Sequence, residues 1–297
     1  MDEENVKESR LLLRRIQDHI FQAHTAFGVE HETLNFVDVI HHPANNLPDL
    51  NYVTPRRNTA WVSAKYIQQG LDRLAALGRE SRVQYIEGLY PPPFAKILRG
   101  LGLQAERETP FMVYSLAGVN KVVPPPLPKP TAPIGVRLEV VTDQTGVEMW
   151  WYVWRNAYYD VFTLGVEPLA VGRDMAAHRL GQEIDVLMYR HNLPVGVARL
   201  SIQQSLKSAH IVALALLREA RTPQLMKLLL VAAMRAALAR SANLIFAPGE
   251  NEEDRALDRE LGFIDIGSMV CYAARSENVY EVQKHDVLAQ PVLALRR

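Results

Sequence analysis

The stretch Leu214-Ala215-Leu216-Leu217-Arg218-Glu219-Ala220-Arg221-Thr222-Pro223-Gln224-Leu225-Met226, running straight into Lys227-Leu228-Leu229-Leu230, decides how the chain is read. Its apolar opening continues a run from His210, which reads as a strand. A polar turn follows. Thr222 then offers a side-chain oxygen for an N-cap, and Pro223 has its φ already set for the first helical position. A strand over His210 to Leu216 and a helix over Thr222 to Arg240 are therefore expected. That helix is apolar nearly all round, so it needs cover on two sides: its own sheet on one, the first half of the chain on the other.

Downstream lie a strand at Asn243 to Ala247, a helix closing in Leu261-Gly262-Phe263, and a strand through Met269-Val270-Cys271-Tyr272. The first half repeats this order. A helix over Thr59 to Arg79 precedes a strand at Arg82 to Gly88, a helix from Pro93 ends in Leu101-Gly102-Leu103, and a strand runs to Met112-Val113-Tyr114. Two segments alike at an offset of about 160 residues indicate a tandem duplication. The second half has more upstream: a strand at Val136 to Val141, helices at Gly146 to Tyr159 and from Pro168 to about Leu180, then strands at Ile184 to Tyr189, Val195 to Ile202 and His210 to Leu216. Its order is β-α-α-β-β-β-α-β-α-β. The first half opens with a helix, Glu4 to Phe27, and passes through an irregular segment to Asn51-Tyr52-Val53-Thr54-Pro55, with its early strands unrecognisable.

The seam between the halves holds Pro124, Pro125, Pro126, Pro128, Pro130 and Pro133. Proline lacks the amide donor and fixes φ, so this run reads as an extended tether. The expected division is residues 1–117, a linker at 118–134, and 135–297, in keeping with roughly two domains for 297 residues. Lys plus Arg equals Asp plus Glu at 33 each, which leaves no bulk electrostatic attraction for nucleic acid or an acidic membrane, and neither is expected as a partner. Cys271, the single cysteine, excludes an internal disulfide and reads as a buried thiol. Asp38, His41 and His42 lack a further identifiable ligand, so no metal is expected. The charged first ten residues and the lack of a long apolar run point to a cytoplasmic protein.

This order of elements, with Leu261-Gly262-Phe263 ending the penultimate helix, resembles the GNAT superfamily of acyl-CoA-dependent N-acetyltransferases. The resemblance spans about Val136 to Ala274 as a whole domain and about Asn51 to Tyr114 as a shorter copy. It implies an α/β (α+β) protein of two tandem GNAT-like domains. Each has a mixed, mostly antiparallel sheet flanked by helices; the second is complete and the first partial. It also implies transfer of an acyl group from acetyl-CoA to a small-molecule or peptide amine by direct attack. The alternative is a catalytically silent GNAT fold that binds a ligand or a protein partner.

In the family a turn of pattern Arg/Gln-x-x-Gly-x-Gly/Ala holds the pyrophosphate of coenzyme A on backbone amides at a helix N-terminus. The matching residues are Arg221, Thr222, Gln224, Leu225 and Met226, with Thr222, Gln224 and Met226 where glycines are usual. Glycine serves there because a side chain obstructs close approach of phosphate. The resemblance assigns Leu214 and Leu216 to the pantetheine arm, and Asn251 to an early position on the following helix. The family's late tyrosine, which protonates the departing thiolate, is replaced by Asp258. Among Glu252, Glu253, Asp254, Arg255 and Arg259, that aspartate is expected to be a solvated helix charge. His210 is the candidate general base, with Glu183 or Asp185 as others. Trp150, Trp154 and Tyr158, at i, i+4 and i+8, share one helix face and are expected to pack between the halves or to wall an acceptor pocket.

Overall fold

The computed structural model describes residues 3–59, 61–119, 122–129, 131–159, 166 and 168–274. The chain forms two compact units, 3–111 with 266–274, and 112–265. Residues 266–274 follow the whole second unit in sequence, yet they supply a strand to the first.

The first unit runs α1 (Glu3–Ala26), β1 (Glu30–Leu34), β2 (Val37–His41), β3 (Tyr52–Pro55), α2 (Ala64–Ala76), β4 (Arg82–Ile86), α3 (Pro93–Gly100) and β5 (Leu103–Ser115), the last of which ends in the second unit. Its strand order is β1-β2-β3-β4-β11-β5, where β11 is Ile264–Ala274. The helices and strands from α2 to β5 follow the repeat read from the sequence. The β1–β2 hairpin does not: it occupies the segment read as irregular. Asn35 turns it with φ of 56°, and Leu34 pairs with Val37. Its outer strand, Glu-His-Glu-Thr-Leu, is polar and largely exposed, so it shows no apolar period. Asn35 in a left-handed turn before Val37, Val39 and Ile40 was the available signal.

In this hairpin Asp38 pairs with His31 at 3.0 Å and His41 with Glu30 at 3.2 Å. The histidines and the aspartate are thus spent on neighbouring strands. Further along the sheet, Arg82 grips Glu106 with two hydrogen bonds of 2.9 and 2.7 Å, and the Cys271 thiol donates to the same carboxylate at 3.3 Å. That two-pronged bond, before all else, holds Glu106 below the usual carboxylate range. Burial, reinforced by Glu106, pushes the Cys271 thiol up to about 12, so it is an inert core group.

The second unit runs β6 (Val136–Val140), α4 (Gln144–Tyr159), α5 (Pro168–Arg179), β7 (Glu183–Arg190), β8 (Leu193–Gln203), β9 (Ser208–Leu216), α6 (Pro223–Ala239), β10 (Leu244–Pro248) and α7 (Glu252–Glu260). Its strand order is β5-β10-β9-β8-β7-β6, antiparallel from β9 to β6 and parallel between β9 and β10. The sheet has a core on each face. On one, Leu225, Leu229, Leu230 and Met234 of α6 meet Ile211, Ile245, Met188 and Leu200. On the other, Trp150, Trp151 and Trp154 of α4 meet Leu187, Val197, Ala213 and Ala215. The tryptophan face therefore packs on its own unit's sheet, with Trp150 stacked on Trp154 and Trp154 on Tyr158.

The proline run is docked along this unit. Leu127 packs on the α6 core, Arg235 of α6 donates to the Pro128 carbonyl at 2.9 Å, and the Tyr114 hydroxyl donates to the Pro125 carbonyl at 3.4 Å. An extended proline strap thus covers part of α6, for which the sequence suggested the first half of the chain.

Gly102 and Gly262 occupy the same place in the repeat, each just past a helix with φ of 81° and 90°. A β-carbon at Gly102 meets nothing within 4 Å, whereas one at Gly262 would stand 2.5 Å from Pro125 Cδ. Both alanine variants pay for the left-handed backbone, more than about 1 kcal/mol each. Gly262→Ala is expected to lose roughly 1–3 kcal/mol more through overpacking against the strap, read as the larger drop in urea midpoint.

Candidate functional site

Strands β9 and β10 run parallel through only three partnered positions, Ser208–Leu244, Ala209–Ile245 and His210–Phe246. Beyond these, β9 continues to Leu216 paired on β8 alone. Leu217 donates its amide to the Val195 carbonyl of β8 at 2.8 Å. Backbone alternation therefore turns the amides of Leu216 and Leu214 to the opposite edge, where β10 no longer pairs. An extended ligand chain with amide groups fits such an edge. The side chains of both leucines are buried in the sheet's core, so only their backbone faces this edge. A bulge sharpens the parting: Arg199 opposes Ala213 and Leu200 opposes Ile211, leaving Val212 as the extra residue on β9. The first unit repeats the arrangement in reduced form, for β3 and β4 are parallel with the single partnered position Val53–Val83.

After β9 the chain makes one 3-10 turn, Arg218–Ala220, and enters α6. Thr222 is the N-cap; its Oγ1 accepts from the Leu225 amide at 3.3 Å, and its carbonyl accepts from the Met226 amide at 3.0 Å. Pro223 has no amide hydrogen. The helix start thus presents the Gln224 amide, with the exposed Thr222 and Gln224 side chains beside it. Leu225 is buried and Met226 packs partly against the α6 core, so neither side chain reaches outward fully. Arg221 is exposed but donates to the Ala157 carbonyl in the last turn of α4 at 3.2 Å, where a cation suits the helix C-terminus.

His210 stands where β9 and β10 part. It is buried and stacked on Phe246, with ring centroids 4.4 Å apart and planes 7° from parallel. Register places it opposite Ser201 on β8, and Ser201 opposite Glu183 on β7. Directly opposed residues share a face, so Glu183, Ser201 and His210 form a row on the α4 and α5 side.

Comparison of the whole structure with solved structures finds a GCN5-related N-acetyltransferase from Kribbella flavida, at 17% identity and a TM-score of 0.69, covering 90% of this chain and 97% of that one. A tandem GNAT protein from the clavulanic acid biosynthesis pathway matches at 13% identity and 0.57, covering 93% and 97%. A GCN5-related N-acetyltransferase from Sphaerobacter thermophilus matches at 14% and 0.53, covering 82% and 84%. This chain has the tandem GNAT fold. No protein-family model matches it, and no curated protein matches it in sequence. No helix among the described residues is long and apolar enough to cross a membrane.

On the GNAT frame, α7 carries two of the expected site residues. Asn251 is its N-cap: Oδ1 accepts from the Asp254 amide at 2.9 Å and Nδ2 donates to the Asp254 carboxylate at 2.7 Å. Its side chain is thereby committed to starting the helix. Asp258, expected to be a solvated charge, is instead fully buried, beside Leu257, which packs on the α6 core. Seven of the nine residues of α7 are charged, and that density conceals which charge faces in.

The GNAT sheet also holds a buried ion cluster that the sequence did not reveal as such. Arg199 on β8 binds both oxygens of Asp185 on β7 at 2.7 Å and one of Asp174 on α5 at 2.7 Å, and its guanidinium lies 4.0 Å from the Trp150 ring centroid. Trp151 Nε1 donates to Asp174 at 2.8 Å, and His178 Nε2 lies 3.2 Å from Asp185. Burial alone would raise Asp185, but Arg199 and then His178 outweigh it and hold the carboxyl low. Burial likewise lowers His178, and Asp185 more than offsets it, so the imidazole is raised. Glu183 sits apart at 3.7 Å from Arg199; burial is its largest influence and raises it. An arginine at an inward position of an apolar strand was the one sequence signal for the cluster.

The raised His178 sets a pH dependence. The charged imidazole adds stability in full below about pH 6.5, its unfolded value, and loses it as pH rises through the folded one. Wild-type melting temperature should fall with rising pH in that window, and His178→Gln should flatten the profile there.

Proposed function

We propose that the second unit is an N-acyltransferase that moves an acyl group from acetyl-CoA to an amine by direct attack. The parting of β9 from β10 after His210 carries this reading, because it turns the Leu214 and Leu216 amides to an unpaired edge suited to the pantetheine arm. The coenzyme's pyrophosphate would lie at the start of α6 by Arg221, Thr222 and Gln224, with the Gln224 amide facing it. The neutral amine nitrogen attacks the thioester carbonyl carbon, the C–S bond breaks, and coenzyme A leaves as thiolate. His210 takes the ammonium proton, directly or through a water, and the Ser201–Glu183 row lies behind it to accept or pass that charge. Approach of the two reactants supplies much of the rate. The acceptor is a small-molecule or peptide amine, and the cytoplasm, where acetyl-CoA is in use, is the compartment.

One observation favours a second reading, a GNAT fold that binds a ligand or partner without catalysis. Pro223 has no amide hydrogen and Thr222 consumes the Leu225 amide, so α6 offers less to a phosphate than a glycine turn does.

Calorimetric titration with acetyl-CoA separates the two. Micromolar binding is expected for the acyltransferase; no heat at millimolar coenzyme leaves the silent module. Thr222→Gly removes a side chain from the approach and releases the Leu225 amide, and should tighten binding about three- to tenfold, while costing the helix only a few tenths of a kcal/mol.

With an amine that turns over, His210→Gln should lower kcat about a hundredfold while acetyl-CoA affinity stays unchanged. Equal turnover in wild type and variant would remove His210 as the base.

A further inference from the structure

The first unit has a pocket of its own, of about 330 Å³ with the open solvent at its mouth included, between α1 and the parted strands β3 and β4. Its floor is Ile20, Tyr52, Gln84 and Ile86, all buried; Thr54 and Met269 stand at the rim. None of the described residues lining it carries a charge at neutral pH. The Tyr52 hydroxyl is engaged with His24 Nδ1 at 3.1 Å, and burial, pushing that imidazole down to about 4, keeps it neutral as well.

Gln84 is different. It is 5% exposed, yet its Oε1 has no hydrogen-bond partner among the described residues. Its cross-strand neighbour is Cys271, whose thiol is given to Glu106. A buried amide oxygen without a partner is costly, and native proteins seldom keep one without a use. The two ends of a carboxamide have the same shape, so a ligand offering a donor and an acceptor side by side satisfies Gln84 whichever way it is turned.

The geometry points to a second binding site, in the first unit, for a small neutral amide whose carboxamide pairs with Gln84 and whose short apolar chain lies against Ile20, Ile86 and Met269. The absence of a lining charge disfavours carboxylates and ammonium ions, whose desolvation nothing there would offset. Much of that space is solvent at the open mouth, which limits the ligand to a fragment or to one end of a larger molecule. The site is independent of acetyl-CoA binding by the second unit.

The test uses the full chain with methyl-labelled methionine, Met269 being assigned by Met269→Leu, and isovaleramide as probe. A saturable shift of the Met269 methyl signal is expected, with Kd of about 1–10 mM for a probe of this size. Isovalerate at equal concentration should leave the signal in place. Gln84→Leu and Gln84→Met should each abolish the shift while melting at or above the wild-type temperature, since both remove an unsatisfied polar group. The proposal is overturned if isovaleramide gives no saturable shift up to about 100 mM, well past that range. It is equally overturned if isovalerate acts as well as the amide, or if either folded Gln84 variant still binds.

Discussion

The second unit turns on three residue pairs. Ser208, Ala209 and His210 hold β10 in parallel register, and after His210 the two strands separate. A sheet that loses a ladder must place its freed amides somewhere, since buried backbone groups are almost always paired. The fold answers by bulging β9 at Val212 and by starting α6 one 3-10 turn past the strand's end, so that freed amides and a helix N-terminus lie along one path. Gly196 shows how tightly this path is built: a β-carbon there would stand 2.4 Å from Leu216 Cδ2. The first unit obeys the same constraint more severely, for its β3 and β4 share the single parallel position Val53–Val83. Gly70 lets α2 lie close over that point, where a β-carbon would stand 2.7 Å from Val53 Cγ1.

The two faces of the second unit's sheet divide the work. The α6 face is an apolar core completed by the proline strap through Leu127. The α4 and α5 face mixes three tryptophans with Arg199, Asp185 and Asp174. Buried charges need close to full compensation, and removing one member of such a cluster is commonly far more damaging than the cluster is stabilising. Here the arginine's two carboxylates come from a helix and a neighbouring strand, so the cluster fixes α5 on the sheet. Glu183, one alternation along β7 from Asp185, is left out of the tight pairing and belongs instead to the row that ends at His210.

Much of this was legible in one dimension. Thr222-Pro223 marks a helix start because capping chemistry is local, and Leu261-Gly262-Phe263 marks a helix end because only glycine adopts the required φ without strain. The duplicated order followed from such local signs occurring twice. The β1–β2 hairpin escaped because a polar edge strand carries no apolar period. Asn251 and Arg221 looked like ligand residues by position, and the structure shows each also holding a helix end.

By itself the sequence determined the succession of strands and helices, the repeat and the family resemblance, since each depends on residues near one another in the chain. Only the tertiary structure decided that 266–274 serves the first unit, that Asp258 faces inward, that the proline run straps α6, and that Gln84 Oε1 has no partner among the described residues beside a pocket. Those outcomes depend on which distant segments meet. A strand's own residues specify that it will pair and which face is apolar, but not which sheet it joins.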